Sequence, residues 1–144
     1  MSNKLLVAVD GSEGGKRAVA AAVEQAKETD AGLILVYVID WSPYSFNTPQ
    51  ELEERHQRRE SEIKRAQESI LQPAVDGLAD SGLEIESIVR HGKIAQTLVT
   101  LAKKYDVSQI YMGRLGESKL HSMIFGSVTA ALVQSSPVPV TVVP

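Results

Sequence analysis

The sequence predicts an α/β fold: an open, doubly wound sheet of five parallel strands, Rossmann-like, in the order 3-2-1-4-5. Three observations predict it. Strand-like runs recur five times, at Leu5–Val9, Leu33–Ile39, Leu83–Arg90, Val107–Met112 and Val138–Val143. Runs with helical spacing separate them, which is the β-α-β alternation of a parallel sheet with right-handed crossovers. Glycines follow the first and fourth strands, at Gly11 and at Gly113 and Gly116. In the order 3-2-1-4-5 those two strand ends flank the crevice where ligands bind.

Each element has its own signature. Leu5–Val9 is continuously apolar, as a strand buried on both faces is. Ser12 is a good N-cap, and Val19, Ala22, Val23 and Ala26 repeat at helical spacing up to about Thr29. Asp40–Asn47 reads as a loop holding Trp41, Tyr44 and Phe46. Thr48-Pro49-Gln50-Glu51 then combines a capping box with proline at the first helical position. This second helix is crowded with charge between Glu51 and Arg65, and its apolar stripe is expected at Ile63, Ala66, Ile70, Ala74 and Leu78. Its first half reads as a solvated projection rather than a docking arm. Pro73 should kink or interrupt it.

Leu83–Arg90 alternates apolar and polar residues, which suits a strand near a sheet edge. His91-Gly92 leads into a helix with Ile94, Leu98, Leu101 and Ala102 on one face. A short helix is expected from about Gly126 to Ser135, stopped by Pro137. The last strand contains Pro139, which cannot donate to a ladder, so it should be an edge.

Composition narrows the function. With 144 residues and no internal repeat or linker, one domain spanning 1–144 is expected. Hydrophobic residues at 43% and charged residues at 23% are ordinary for a soluble globular protein. The absence of cysteine removes disulfides, thiol chemistry and thiolate metal sites, and is compatible with a reducing cytoplasm. A net charge of -3 argues against a dedicated nucleic-acid binder. The run Leu5–Val9 is too short for a signal segment or a membrane span, so neither targeting nor membrane insertion is expected.

Motif chemistry narrows it further. Gly11–Arg17 resembles a Walker loop but is one residue short, and Arg17 stands where serine or threonine is needed. No G-x-G-x-x-G or G-x-S-x-G is present. His56, His91 and His121 lack the spacing of metal ligands. What remains is Gly113, two residues, Gly116, nine residues, then Gly126-Ser127, between a strand and a helix. Glycines there let backbone approach a ligand closely. Ser127 and Thr129 in the first turn of a helix would share phosphate oxygens with free N–H groups. The plain alternative is a flexible loop with a glycine turn at each end.

Nearly the whole chain resembles the universal stress protein family, in its ATP-binding subgroup. The resemblance rests on Val7–Ser12, Tyr37–Asp40, His91-Gly92, Tyr111–Gly116, Gly126–Val128 and the ending Ser136–Val143. The G-2x-G-9x-G-[ST] spacing separates nucleotide binders from non-binders in that family. Two departures are Arg114-Leu115 between the first glycines, in place of a small-polar plus basic pair, and Lys93-Ile94 after Gly92, where proline often sits.

The resemblance implies a site. Ala8, Val9 and Asp10 would line the nucleotide, with Asp10 near ribose or metal. Val38 would meet adenine through its backbone. Met112, Gly113 and Gly116 would wrap ribose and the first phosphates, and Arg114 could alter phosphate contacts. Gly126, Ser127, Val128 and Thr129 would hold the outer phosphates, with Mg2+ on the triphosphate. For Ala8, Val38 and Val128 a core position explains the residue equally well.

The resemblance also implies a cytoplasmic homodimer paired through the last strand, 138–143, and an unknown client, such as a transporter or an enzyme. The expected function is an ATP-dependent regulatory switch of the stress response, with at most slow hydrolysis. A true nucleotide hydrolase or nucleotidyl transferase, and a nucleotide-free interaction dimer, are the alternatives. Glu117 and His121 are candidates for a water activator only through their place in the loop.

Overall fold

The computed structural model describes residues 3–40, 48–114 and 122–144, with backbone alone for 122–125. The aromatic cluster Trp41, Tyr44 and Phe46, together with Gly116, Glu117 and His121, lies outside the described residues. The elements are β1 (Lys4–Ala8), α1 (Glu13–Thr29), β2 (Gly32–Asp40), α2 (Pro49–Ala66), a π turn (Gln67–Leu71), α3 (Gln72–Asp76), β3 (Ile85–Gly92), α4 (Ile94–Lys104), β4 (Gln109–Gly113), α5 (Ser122–Ser135) and β5 (Val140–Val143). The five strands pair in the order β3-β2-β1-β4-β5. Every pairing is parallel.

Strand alternation divides the core in two. Leu5, Val7, Leu33, Leu35 and Tyr111 face α1 and the segment from Ala66 to Leu78. Leu6, Ile34, Val36, Ile110 and Met112 face α4 and α5, meeting Leu98, Leu101 and Leu132. Full burial of each large aliphatic side chain contributes about 1.5–3 kcal/mol. The central strands therefore carry most of the stability. On α1 the fully buried stripe is Ala18, Ala22 and Ala26. Methyl-sized side chains let this helix lie close on the sheet.

On the second helix Ala66, Ile70, Ala74 and Leu78 pack in the core as expected, and the departure lies upstream of them. Ala66 and Leu71 are its buried residues, five apart. An ideal α-helix would put them about 140° apart on its surface. The π turn widens the helix there, and the Gln72 N–H donates to the Gln67 carbonyl five residues back. Pro73, which lacks a donor, follows at once. The interruption expected at Pro73 thus falls just before it, as a wider turn rather than a break. Upstream, the inward stripe is Arg55, Arg59, Glu62 and Ala66, and Ile63 is left 37% exposed.

Two further boundaries differ. His91-Gly92 ends β3 rather than forming a turn after it. β5 begins at Val140, although the Pro139 carbonyl already accepts from Ile110 N–H at 3.0 Å, so only its missing donor is lost to the ladder. As expected, β5 is an edge strand, and so is β3.

Tyr111 lies 6% exposed in the core facing α1. Burial holds its phenol above the ordinary range, and the charge of Glu28 adds to this, against a lowering hydrogen bond with Thr141. A raised folded-state pKa means that its contribution is complete below the unfolded value of about 10. It is lost as pH climbs through the folded value. Circular dichroism across alkaline pH should show stability falling from about pH 10 upward, and Tyr111→Phe should flatten that fall.

Candidate functional site: the crevice between the first and fourth strands

β1 and β4 are neighbours, but their chains leave in opposite directions. After β1 the chain enters α1 on one face; after β4 it leads to α5 on the other. This divergence opens the crevice at the C-terminal ends of the strands.

The β1 side is built by Asp10 and Ser12. The Asp10 Oδ1 accepts from the Ser12 amide at 3.0 Å and from the Ser12 hydroxyl. Ser12 Oγ in turn accepts from the Gly15 amide at 3.0 Å, capping α1. Gly11 makes this turn with φ of 81°, a conformation that favours glycine. Two more glycines are needed for packing. A Cβ on Gly15 would stand 2.9 Å from Asp10 Oδ1. A Cβ on Gly113 would stand 2.4 Å from the Gly14 carbonyl oxygen and 2.6 Å from its carbon. Gly14 and Gly113 thus bring the first turn of α1 and the end of β4 into direct backbone contact. The near-Walker sequence Gly11–Arg17 belongs to this packing.

Other expected site residues divide between the two faces. Ala8, Val38 and Met112 lie on the α4–α5 face, where Val128 packs against the same cluster. Val9 is buried on the α1 face. Val38 and Met112 are also core residues, so their apolar character has a packing reason of its own.

The α5 side differs from expectation. The helix begins at Ser122, so Gly126, Ser127 and Thr129 lie beyond its first turn. The expected first-turn position of Ser127 and Thr129 is corrected accordingly. Once nucleated, a helix gains one hydrogen bond per added residue, and no proline lies between Leu115 and Ser136 to stop it. Gly126 costs only about 1 kcal/mol against alanine in such a place. Packing does not demand this glycine: among the described residues nothing lies within 4 Å of a Cβ built on it.

Gly126 instead leaves the helix backbone bare along one groove. Arg114, Gly126, Thr129, Val133 and Val142 line it, joining the end of β4 to α5 and β5. Ser127 is exposed, and Val128 and Thr129 are half-buried. Arg114 is tied to the last strand, since its amide donates to the Val143 carbonyl at 2.7 Å. Arg17 Nε donates to the Pro144 carbonyl at 3.0 Å, fastening α1 to the chain end.

Sequence reasoning missed the rim formed by α2. Arg55 and Arg59 face inward on the same stripe as Glu62. Glu62 Oε2 meets His91 Nε2 at 3.0 Å, and the His91 side chain is only 5% exposed. The signal was present in the spacing of residues 55, 59, 62 and 66, but an apolar stripe was sought instead. Among the described residues, no group of three or more histidine, aspartate or glutamate side chains is placed to hold a metal ion. No described helix is long and apolar enough to cross a membrane.

The two glycines should respond oppositely to alanine. Gly113→Ala drives a methyl into the Gly14 backbone, and should cost about 1–3 kcal/mol of stability in chemical denaturation. Gly126→Ala should leave stability unchanged or raise it by up to about 1 kcal/mol. Equal destabilisation by both would contradict this division of roles.

Comparison with known proteins agrees with the fold. The family model described as the universal stress protein family matches residues 1–144. Universal stress protein YxiE of Bacillus subtilis is 33% identical over 147 residues, covering 99% of each chain. The solved structure of universal stress protein UspA from Lactobacillus plantarum superposes with a TM-score of 0.83 at 26% identity, covering 99% of this chain and 97% of that one. A universal stress protein in complex with cAMP shares the fold, with a TM-score of 0.65 at 22% identity over 99% of this chain and 97% of its own. With a matching sheet order, matching length and a family model that spans every residue, this chain belongs to the universal stress protein family.

Proposed function

We propose that this protein binds ATP in the crevice between β1 and β4 and acts as a nucleotide-dependent regulator in the stress response. The observation that carries the reading is the convergence of Arg114, Gly126 and Thr129 on a groove at the end of β4, the strand that also borders the crevice, where no described neighbour gives Gly126 a packing reason to be glycine. A guanidinium, a hydroxyl and a bare stretch of helix suit phosphate oxygens. The family relative in complex with cAMP supports an adenine nucleotide as the ligand class.

In this reading Ala8, Val9, Asp10 and Val38 border the base and ribose. Met112, Gly113 and Gly116 wrap the sugar and first phosphates, and Gly126, Ser127, Val128 and Thr129 face the outer ones. Mg2+ rides on the triphosphate, because such an ion leans on phosphate oxygens and water. Asp10 offers a carboxylate at the end of β1, with one oxygen already committed to Ser12. Turnover is slow at most, and the signal is occupancy, read by a client such as a transporter or an enzyme in the cytoplasm.

Isothermal titration with Mg-ATP tests the site. The wild type should bind one nucleotide per chain. Gly126→Asp should abolish binding while its circular dichroism spectrum stays unchanged. A wild type that takes up no nucleotide overturns the proposal, and rapid release of ADP would move it to a true hydrolase.

The same reading includes a homodimer paired through 138–143. β5 is an edge strand, a liability that a twofold mate would cover. The Pro139 and Val143 carbonyls face β4, so strand alternation turns the Val142 amide outward. Val142→Pro therefore deletes an outward donor and spares the β4 ladder. Sedimentation velocity should show a wild-type dimer and a largely monomeric variant. A monomeric wild type overturns the pairing.

A further inference from the structure

The edge of the sheet opposite β5 is β3. A groove runs along this strand, walled by Ile63, Lys64 and Gln67 of the α2 segment on one side and Tyr105 on the other. The strand's hydrogen-bonding direction is fixed by one bond: the Glu84 carbonyl accepts from the Leu33 amide in β2 at 2.9 Å. Backbone groups alternate sides along a strand. The amides and carbonyls of Glu86, Ile88 and Arg90 therefore face β2, and those of Ser87 and Val89 face the groove. Arg90 agrees with this assignment, because its Nη1 donates to the Val89 carbonyl at 3.0 Å from outside the sheet.

We propose that this edge pairs antiparallel with the β3 edge of a second copy of the chain, about a twofold axis at Ile88. Charge complementarity identifies the occupant. With Ile88 opposite its own mate, Glu86 stands opposite Arg90 of the second copy, and Arg90 opposite its Glu86. Both charges are exposed and on the same face of the strand. Ser87 then stands opposite Val89, and these are the two residues whose backbone groups point outward. They form the hydrogen-bonded pairs of an antiparallel ladder, while Ile88 and the two charged pairs take the non-hydrogen-bonded positions. Charge and backbone direction thus select one register independently.

Formation of the pair exchanges partners without orphaning a group. The guanidinium of Arg90 leaves the Val89 carbonyl of its own strand and moves to the facing carboxylate. The vacated carbonyl accepts from the Ser87 amide of the second copy. Glu86 already pairs with Lys4 at 3.0 Å in an exposed geometry, and a carboxylate has capacity for both cations. This surface is separate from β5, since the two strands lie at opposite ends of the sheet.

The absence of cysteine from the sequence makes a clean cross-linking test possible. Facing residues at non-hydrogen-bonded antiparallel positions have Cα atoms about 4.5 Å apart, within disulfide range. Glu86→Cys and Arg90→Cys chains are prepared separately, mixed and oxidised mildly. The expected result is a covalent heterodimer from the mixture and little cross-linking of either variant alone, because in this register each residue lies well away from its own copy. Absence of a mixed disulfide, or equal cross-linking in all three samples, overturns the proposal.

A charge swap provides the second reading. Glu86→Arg or Arg90→Glu alone should abolish the cross-edge association seen by sedimentation in a Val142→Pro background, and the double swap should restore it. If the single reversals associate as well as the parent, Arg90 guards this edge instead of joining a partner, and the proposal fails. Neither test depends on nucleotide binding or on β5.

Discussion

The contact between Gly14 and Gly113 sets the geometry on which the site depends. The end of β4 and the first turn of α1 touch through backbone alone, with no room for even a methyl group between them. This fixes the width of the crevice at its base. It also fixes Arg114, the next residue, whose amide is held by Val143 of the last strand. The neighbouring Asp10–Ser12–Gly15 hydrogen bonds lock the start of α1 in the same place. The crevice therefore has a rigid floor of paired backbone, and the open groove of Arg114, Gly126 and Thr129 lies beside it, between α5 and the end of β5.

Polar groups on the other rim are held with similar economy. His91 is almost fully buried, and a buried imidazole without a partner would be costly. Glu62 supplies that partner from α2 and thereby ties a highly charged helix to the end of β3. Arg55 and Arg59 continue the stripe beyond this tie. The helix is thus held by a polar seam in its first half and by apolar packing only from Ala66 onward.

The fold was legible because its signals are local and repeated. Buried parallel strands read as apolar runs, caps such as Ser12 and Thr48 read as helix starts, and both cap hydrogen bonds are present. The strand order expected of a doubly wound fold is the one found, and it sets the glycine turns after the first and fourth strands side by side. The site was less legible, because a glycine has more than one reason to exist. Gly113 was read as a ligand-facing glycine, yet its backbone contact with Gly14 already requires it. Gly15 was read as part of a failed phosphate loop, when a Cβ there would crowd the Asp10 carboxylate. The start of α5 was misplaced because a glycine resembles a boundary, while helix elongation tolerates it. The stripe of the second helix was legible from Ala66 to Leu78, and only Ile63 was misplaced, because periodicity assumes one turn width throughout and the π turn changes it.

That π turn has a consequence for how this chain tolerates change in length. Each residue in an α-helix advances the surface by about 100°. The wide turn at Gln67–Leu71 holds one residue more than a regular turn, so it works as a phase adjuster between two halves with different faces. Removal of one residue there would restore a uniform helix and swing Arg55, Arg59 and Glu62 about a quarter turn away from the sheet. His91 would lose its carboxylate, and the rim would come undone while both helical halves stayed intact. A length change of one residue at a distance from the crevice would therefore redraw its border, whereas most single substitutions on the same exposed helix would pass without effect.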